Sequence, residues 1–500
     1  MIDYGAMRYN VLTPEQAAAM VRDGEVVGFS GFSNAGSPKV MPTALAEHAK
    51  AEHAAGRPWK ITLMTGATTS TLVDGVLAEA EALSRIMPYQ SSPETRNGIN
   101  NCDIQYVEAH VSMMAQAMRY GHLPRVTTAI VEVCEVTDNG ELTLTTSEGN
   151  TPTFCLLADR IILELNSFHD PEKLRCLHDI YMPADPPHRV YIPLNHLSDR
   201  VGTRTLKVDP AKIVGVIHTH EPSHISAFKA VSGVTEQIGD NMVHFLEKEY
   251  REGRIPPQFL PLQSGVGNVA NAVLASVGKS KIIPAFQMYT EVLQDTVMDL
   301  MIEGRCIFAS SACLHISDEK LQYLYDNFDF FRNKIILRPQ EISNDPAFAR
   351  RVGLICMNTA IEADIFGNVN STHFFGNRVM NGIGGSGDFA RAAAYTIFSC
   401  PSVAKGGAIS AIVPMVSHTD HTEHDVDIII TEQGVADLRG KSPRERAVEV
   451  IENCAHPDYR ELLRRYVELT PKGHTPHNLS KAFAFHTAFT ETGDMRNAQL

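Results

Sequence analysis

Short apolar runs alternate with longer amphipathic stretches along most of the chain. In its first third, EVVGFS, ITLMTG and TTAIVEVCEV have the length and the β-branched content of buried strands. The first helix has a clear start, because Thr13 can cap it, Pro14 suits its first turn and Gln16 completes a capping box. It is predicted to run to Gly24, and a later helix is predicted over TLVDGVLAEAEAL, after the strand ITLMTG. Strands that alternate with helices predict an α/β fold with a mostly parallel sheet.

The same alternation begins again in the second half. Apolar runs such as FLPLQ, CIFASSA, GLICMNTA and DVDIIIT are each followed by a helical or glycine-containing stretch. A proline-rich stretch from Met182 to Pro193 is typical of a connector. We therefore place a domain boundary near residue 220 and predict two α/β domains, residues 1–220 and 221–500.

Two short segments of the first half are repeated in the second. The sequence from Ser30 to Asn34 is similar to that from Ser264 to Asn268, and Thr69–Asp74 is similar to Thr290–Asp295. The segments keep their order, which indicates an internal duplication. Ser70 would then stand where the second half has Glu291, so only one half would carry that carboxylate.

Composition and charge exclude some classes of binding partner. The 500 residues are 44% hydrophobic and carry a formal net charge of −14, without a basic tract. Nucleic acid and anionic membranes are therefore poor partners, and an anionic substrate must be met by local donors. No apolar run has transmembrane length, and the first residues resemble neither a secretory signal nor a transit peptide, so a cytoplasmic location is expected. Nine cysteines without a CxxC pair indicate reduced core residues.

Glu291 is the strongest candidate for chemistry. It follows a predicted strand and Tyr289-Thr290, and it is predicted to open a helix whose N–H groups and dipole favour an anion. An ionised carboxylate in a dry pocket can attack a thioester carbonyl and become acylated. The alternative is a helix-start acid that only stabilises the dipole.

Two glycine turns could bring backbone N–H groups to a ligand. The turn from Ser264 to Asn268 joins a strand to a helix at the sheet edge where α/β proteins bind ligands. It could hold a phosphate or an oxyanion, or be only a tight turn. The segment from Asn381 to Asp388 contains GxGxxG, but no acidic residue lies between Asp388 and Asp420 to bind a ribose, which disfavours a dinucleotide site.

Four further groups of polar residues could carry chemistry. Lys405 lies in a glycine turn and could meet an anionic nucleotide or be a solvated surface lysine, and Glu432 follows the strand DVDIIIT. The histidine groups 218, 220, 224 and 418, 421, 424 lack the spacing of known zinc motifs, so no metal site is predicted. No GxSxG motif occurs, which disfavours a serine hydrolase of the α/β-hydrolase type.

Taken together, the motifs resemble those of the acetyl-CoA hydrolase/transferase family, whose class I members include succinyl-CoA:acetate CoA-transferases. The resemblance covers nearly the whole chain and rests on SGVGNVAN, YTEVLQD, EISN, ADIFGNVNST, NGIGGSGDFAR, AKGG, HTEHDVDIIITEQGVADLRG and CAHPDYR, in that order. It implies two similar open, mostly parallel α/β domains, usually in a homodimer. It also implies ping-pong transfer of CoA between acyl-CoA and short-chain carboxylates, without a metal or redox cofactor.

The resemblance also assigns roles to individual residues. The nucleophile falls on Glu291, and Gly385 with a backbone N–H of residues 264–269 would form the oxyanion hole. Asn344 and Glu432 match polar residues near the reacting carboxylate. The CoA-binding positions fall on Gln263, Ser264, Gly265, Val266, Gly267, Asn268, Asn381, Gly385 and Lys405.

The sequence departs from the family pattern at two places. Where transferases of this type often have an arginine, HEPSHISAF has none, and His224 is the nearest match. The stretch KSKIIPAFQM before the nucleophile also differs from the usual PFENL. Three alternatives stay open: a hydrolase that uses the same site, a regulatory CoA-binding protein and, least favoured, a metallohydrolase.

Overall fold

Two mainly parallel sheets organise the protein, as the alternating pattern predicts. The computed structural model describes residues 8–68, 70–225 and 233–500. Within these residues, the strands of the first half are β1 (Val26–Phe29), β2 (Ile61–Met64), β3 (Leu83–Met87), β4 (Gln105–Tyr106), β5 (Thr128–Val136), β6 (Glu141–Leu144), β7 (Arg160–Asn166), β8 (Leu206–Lys207) and β9 (Ile213–Thr219).

The second half contains the remaining described strands. They are β10 (Leu262–Ser264), β11 (Phe286–Tyr289), β12 (Val292–Gln294), β13 (Cys306–Ser311), β14 (Cys313–His315), β15 (Ile335–Leu337), β16 (Ile355–Thr359), β17 (Glu362–Asp364), β18 (Val369–Asn370), β19 (His373–Phe374), β20 (Arg378–Val379), β21 (Tyr395–Ser399), β22 (Val403–Ala404), β23 (Ile409–Ser410), β24 (Ile412–Val413), β25 (Ile428–Thr431) and β26 (Gly434–Asp437).

The described α-helices of the first half precede or follow its strands. They are α1 (Pro14–Ala18), α2 (Met41–Ala54), α3 (Val76–Glu79), α4 (Pro93–Asn100), α5 (Met114–Arg119), α6 (Thr151–Leu157) and α7 (Pro171–Leu177). Those of the second half are α8 (Gly233–Arg251), α9 (Asn268–Lys279), α10 (Asp295–Ile302), α11 (Asp318–Asp326), α12 (Phe328–Phe331), α13 (Gln340–Ser343), α14 (Pro346–Val352), α15 (Ser386–Ala390), α16 (Pro443–Asn453), α17 (Pro457–Glu468) and α18 (Ala484–Thr492).

Shorter helical turns complete the described chain. A π-helix spans Thr71–Gly75, and 3-10 turns span Val111–Met113, Pro210–Lys212, Lys405–Gly407, Leu479–Lys481 and Met495–Asn497. None of the helices among the described residues is long and apolar enough to cross a bilayer.

The two sheets share one strand order. The first runs β4-β3-β2-β1-β5, and β5 continues to β7 and β9 as well as to β6 and β8. The second runs β15-β13-β11-β10-β16-β21-β25-β26. When β6, β8 and the antiparallel edge strand β26 are set aside and the other strands of each sheet are numbered in chain order, both sheets follow 4-3-2-1-5-6-7. This common order supports the internal duplication and the predicted fold class.

Helices cover both faces of the first sheet. On β5, Ala129, Val131 and Val133 enter one buried apolar cluster, and Ile130 enters the other, which also contains residues of α2. Strands buried on both faces are the usual state of a parallel sheet, and they explain the continuous apolar runs in the sequence.

Contact density divides the chain into two compact units. The first unit comprises the described residues of Met1–Ala227, Tyr289–Met298 and Phe308–Phe348. The second comprises those of Phe228–Met288, Asp299–Ile307 and Ala349–Leu500. The boundary near residue 220 stays a prediction.

Two predicted helices of the first half are shorter than expected. The capping box of Thr13 and Gln16 is present, but α1 ends at Ala18, and the backbone N–H of Gly24 donates to the carbonyl of Lys60. The stretch TLVDGVLAEAEAL forms the π-helix Thr71–Gly75 and then α3, which ends at Glu79. Ser70 caps this π-helix by accepting from the N–H of Leu72, and Thr69 lies outside the described residues.

Candidate functional site

Glu291 lies in a bend between β11 and β12, so the prediction that it opens a helix is wrong. The helix α10 begins four residues later, because Val292–Gln294 pair in parallel with Cys313–His315. The backbone carbonyl of Glu291 accepts hydrogen bonds from the Ser311 hydroxyl, 2.9 Å, and the Ala312 N–H, 3.0 Å. These bonds, rather than a helix dipole, fix the position of the half-buried Glu291.

An apolar cluster lies against the residues that flank Glu291. It consists of Phe32, Ala35, Ala67, Ile225, Val292, Ala312 and Cys313, with Tyr89 packed against it. Burial, and after it the negative charge of Glu291, raises the pKa of Cys313 well above its usual range. The charge of Glu291 therefore acts on a poorly hydrated neighbour. Desolvation of a carboxylate favours nucleophilic attack, and Val292 and Cys313 bring buried apolar side chains to this segment.

A neutral histidine lies in the same region of the first unit. His315 pairs with Gln294, three residues after Glu291, and its Nδ1 is 2.9 Å from the Ser33 hydroxyl. Burial lowers the pKa of His315 to about 4, so the imidazole is uncharged at neutral pH. The neighbouring strand therefore does not supply an imidazolium cation to the Glu291 segment.

The segment that contains Asn344 is anchored to β11, the strand before Glu291. The Tyr289 hydroxyl donates to the carbonyl of Ile342 and accepts from the N–H of Asp345 at 3.0 Å. The Ser343 hydroxyl donates to Asn344 Oδ1 at 2.7 Å, whereas Nδ2 of this fully buried residue has no hydrogen-bond partner in the described part of the chain. Nδ2 is thus a buried donor whose hydrogen-bonding capacity the described residues do not use.

The sequence analysis missed a polar segment that supports Glu291. In the run Thr145–Thr151, Ser147 pairs with Cys313, and the N–H of Glu148 donates to Ala312 at 3.1 Å. Glu148 is fully buried, and its Oε1 lies 2.8 Å from His178 Nδ1. The available signal was the dense run TTSEGNT after the turn Asp138-Asn139-Gly140, but its partner Cys313 is too distant in sequence to be inferred.

In the second unit, the turn from Ser264 to Asn268 has the geometry of an anion site. It follows β10, and the N–H of Gly265 donates to Met357 at 2.9 Å. Gly267 adopts a φ of +122°, which favours glycine, and among the described residues no side chain caps the following α9. The first N–H groups of α9 can therefore meet an anion. Beside the turn, buried Gln263 donates to Asn358 Oδ1 at 3.2 Å.

The segment Asn381–Asp388 forms a second glycine turn in this unit. Gly384 has a φ of +56°, and buried Gly385 precedes the five-residue helix α15. The Ser386 hydroxyl donates to Ile383 at 2.8 Å and lies 3.2 Å from His421 Nε2, and the His421 ring packs on Phe398 of β21. Only the two-residue strand β20 precedes this turn, which agrees with the rejection of a dinucleotide fingerprint.

Lys405 and Glu432 lie near the carboxyl ends of strands in the second unit. Lys405 is exposed in the turn between β22 and β23, with its Nζ 5.1 Å from the centre of the Phe489 ring. Glu432 follows β25 and accepts from the N–H of Ser402 at 2.8 Å, from its hydroxyl and from Gln433. Burial opposes ionisation of Glu432, but these hydrogen bonds outweigh it and lower its pKa.

Replacement of Ser402 by alanine should raise the pKa of Glu432, because burial would be less opposed. A depressed carboxyl pKa stabilises the folded protein above the unfolded pKa of about 4.3, and this stabilisation is lost as pH falls through the folded value. We expect Ser402→Ala to unfold about 1 kcal/mol more easily at neutral pH, with the difference shrinking in acid. Denaturation midpoints from pH 3 to 8 would test this, with exposed Ser480→Ala as control. A pH-independent difference would contradict it.

Histidines from both groups considered in the sequence analysis contact nearby acidic side chains or other rings. His418 Nε2 is 3.2 Å from Asp420, and the His373 and His418 rings lie 3.9 Å apart. In the first unit, His224 is half-exposed, with Nε2 3.6 Å from Glu221 Oε2. Among the described residues, no three or more His, Cys, Asp or Glu side chains are grouped as metal ligands.

The chain is similar to known proteins in both sequence and fold. Residues 5–218 match the family model of the acetyl-CoA hydrolase/transferase N-terminal domain, and residues 321–467 match the model of the C-terminal domain of the same family. The chain is 48% identical to propanoyl-CoA:succinate CoA transferase of Escherichia coli, covering 97% of this chain and 98% of that protein. It is 46% identical to succinyl-CoA:acetate CoA-transferase of Clostridium kluyveri, covering 98% and 91%.

More distant relatives of the chain include a hydrolase as well as transferases. An acetyl-CoA hydrolase of Schizosaccharomyces pombe is 38% identical, with coverage of 97% of this chain and 96% of that protein. Among solved structures, 4-hydroxybutyrate CoA-transferase of Porphyromonas gingivalis superposes with a TM-score of 0.61 at 20% identity, covering 92% of this chain and 97% of that one. This structural likeness confirms the fold class.

Proposed function

The chain belongs to the acetyl-CoA hydrolase/transferase family, and from this premise we propose that it transfers CoA between a short-chain acyl-CoA and a carboxylate through Glu291. Both transferase relatives named above have succinate, free or as its CoA ester, among their substrates. We therefore propose succinate or succinyl-CoA as one member of the pair and acetate or propionate as the other acyl group.

The position of Glu291 carries this proposal. Its carbonyl is held by Ser311 and Ala312, and its charge reaches buried Cys313. A carboxylate on so fixed a backbone, beside an apolar wall, suits a nucleophile that must attack, leave and be attacked again in one place.

The proposed reaction is a double displacement. A carboxylate oxygen of Glu291 attacks the thioester carbonyl, the carbon–sulfur bond breaks, and a mixed anhydride and CoA thiolate form. The thiolate then attacks the glutamyl carbonyl, which releases the donor carboxylate and leaves a glutamyl thioester. An incoming carboxylate reverses both steps. Backbone N–H groups near the reacting carbonyl would donate to the oxyanions. No redox change or metal is required by this scheme.

Trapping of the thioester tests the proposal. Incubation with acyl-CoA in the absence of an acceptor should add CoA to the protein, and borohydride should convert Glu291 to the corresponding alcohol. Intact-protein and peptide mass spectrometry would locate the change. Glu319→Gln, which removes an exposed glutamate, should trap as the natural protein does. Rapid exchange without any adduct at Glu291 would reject the mechanism.

Hydrolysis is the second candidate, and the hydrolase relative favours it. Here water, rather than a carboxylate, would resolve the intermediate. The rate of thiol release from acetyl-CoA without an acceptor separates the two activities. If thiol release without an acceptor is as fast as the formation of succinyl-CoA with saturating succinate, the protein is a hydrolase.

A further inference from the structure

A buried tyrosine joins the strand before Glu291 to the turn that carries Asn344. Tyr289 is the last residue of β11, and its side chain is fully buried. Its hydroxyl donates to the carbonyl of Ile342 and accepts from the N–H of Asp345 at 3.0 Å. These two backbone groups lie on either side of Asn344 in the sequence, so both hydrogen bonds act on the backbone of that turn.

The ring of Tyr289 is held in place as well as its hydroxyl. It packs edge-on against Phe348, with 5.0 Å between the ring centres and an interplanar angle of 72°. The N–H of Thr290 donates to the carbonyl of Ser310 at 3.0 Å, which fixes the backbone between Tyr289 and Glu291. A tyrosine side chain turns about only two torsions. The packed ring is therefore a rigid spacer between the strand and the turn.

The helix α13, which precedes Asn344, is also bound to other parts of the first unit. Both carboxylate oxygens of Glu341 accept from Arg119 at 3.0 Å. The N–H of Gln340 donates to the carbonyl of Gly149 at 3.0 Å. These bonds fix where α13 lies, and the tyrosine hydroxyl adds a direct link from its end to β11.

Asn344 presents a donor at this turn that the described residues do not use. Its Oδ1 accepts from the Ser343 hydroxyl at 2.7 Å, whereas the buried Nδ2 has no hydrogen-bond partner in the described part of the chain. A buried donor of this kind is uncommon, and a catalytic role is one explanation for it. The family resemblance separately predicts that Asn344 lies near the reacting carboxylate.

We propose that Tyr289 is a positioning residue for CoA transfer, because its hydroxyl holds the Asn344 turn at a fixed separation from Glu291. The amide donor and the carboxylate then meet the same reacting group together. Tyr289 does not touch the substrate, since it is buried and its hydroxyl proton is donated to Ile342. A misplacement of about 1 Å can cost on the order of a hundredfold in rate. The inference rests on the proposed function and on the predicted role of Asn344.

Tyr289→Phe tests the proposal by removing the hydroxyl and keeping the ring. The kcat for CoA exchange should fall on the order of thirtyfold, because the turn is no longer tied to the strand. The KM for acyl-CoA should stay within about twofold, since the hydroxyl does not contribute to binding of the substrate. The rate of glutamyl thioester formation in a single turnover should fall with kcat.

Tyr466→Phe is the matched control for general damage. Tyr466 is also fully buried, and its hydroxyl likewise accepts from a backbone N–H, that of Asn478, at 3.0 Å. Its loss should lower the unfolding midpoint as Tyr289→Phe does, but exchange should keep the natural kcat. Phe348→Leu loosens the ring of Tyr289 and keeps its hydroxyl, so it is the second variant if Tyr289→Phe does not fold. It should lower kcat about fivefold with an unchanged KM.

A double-mutant cycle determines whether the hydroxyl acts through Asn344. Asn344→Ala should lower kcat on the order of a hundredfold, as is usual for loss of one donor to a reacting oxygen. In that background Tyr289→Phe should cost less than about twofold more, because the donor that it would misplace is already absent.

Three results would overturn the proposal. They are losses that multiply in the double variant, a natural kcat in Tyr289→Phe, and an equal loss of kcat in Tyr466→Phe. Absence of a glutamyl thioester in the natural protein would instead reject the proposed function. A thioester that forms in Tyr289→Phe at the natural rate would reject the positioning role alone.

Discussion

Glu291→Gln is expected to reduce CoA exchange by at least about a thousandfold, because an amide cannot form the anhydride or the thioester. Glu291→Asp should also be severely impaired, on the order of a hundredfold. Its carboxylate is one methylene shorter, and the backbone held by Ser311 and Ala312 cannot follow the substrate. Transfer of CoA from acyl-CoA to labelled carboxylate measures both.

The control for this pair is Glu319→Gln, which carries the same chemical change at an exposed helix start. It should exchange at the natural rate. Both Glu291 variants should still bind CoA if the turns of the second unit hold it, as predicted, because those turns do not use this carboxylate. If Glu291→Gln retained a tenth of the natural rate, Glu291 would not be the nucleophile.

The fold was predictable to a considerable extent because its signals are local. The runs EVVGFS and DVDIIIT contain β1 and β25, and the similarity between Ser30–Asn34 and Ser264–Asn268 reflects equivalent turns, after β1 and β10. In both sheets the strand before this turn occupies the same place in the order. Apolar runs identify buried parallel strands because these strands are covered on both faces.

Elements that depend on distant partners were not predictable. Val292–Gln294 read as the first turn of a helix, but they pair with Cys313–His315, some twenty residues later. The predicted helix from Thr71 became a π-helix followed by a single short α-helix. Periodicity records which face is apolar, and it does not record which backbone groups a neighbouring segment can satisfy.

The candidate site likewise contains residues that local sequence predicts and residues that depend on distant segments. Glu291 and the glycine turns were found from strand ends and residue type, and the structure gives their hydrogen bonds. Ser311 and Glu148 are among the residues that hold the Glu291 segment, and neither belongs to a recognisable sequence motif. Each occupies a position that is defined by a segment distant in sequence. Roles assigned to Asn344, Glu432 and Lys405 stay predictions.

Arg338→Met should be among the most destabilising single changes in the first unit. Arg338 is fully buried, its Nε donates to Asp179 Oδ2 at 3.2 Å, and its Nη atoms donate to Ser310 and to the carbonyls of Leu197 and Asp199. Methionine would leave the buried charge of Asp179 without its cation. Removal of one partner from a buried ion pair typically costs about 3–5 kcal/mol. The decrease in the free energy of unfolding, obtained from the shift of the urea midpoint, measures this cost.

Arg332→Met separates this effect from a simple loss of positive charge. Arg332 is half-exposed, and its pair with Asp329 is at the surface, where such pairs contribute about 0–1 kcal/mol. Its unfolding midpoint should remain close to that of the natural protein. Arg338 also binds Ser310, whose neighbour Ser311 donates to the carbonyl of Glu291. Arg338→Met should therefore lose exchange activity at a lower urea concentration than Arg332→Met, and equal midpoints for both would show that burial of this guanidinium contributes nothing to stability.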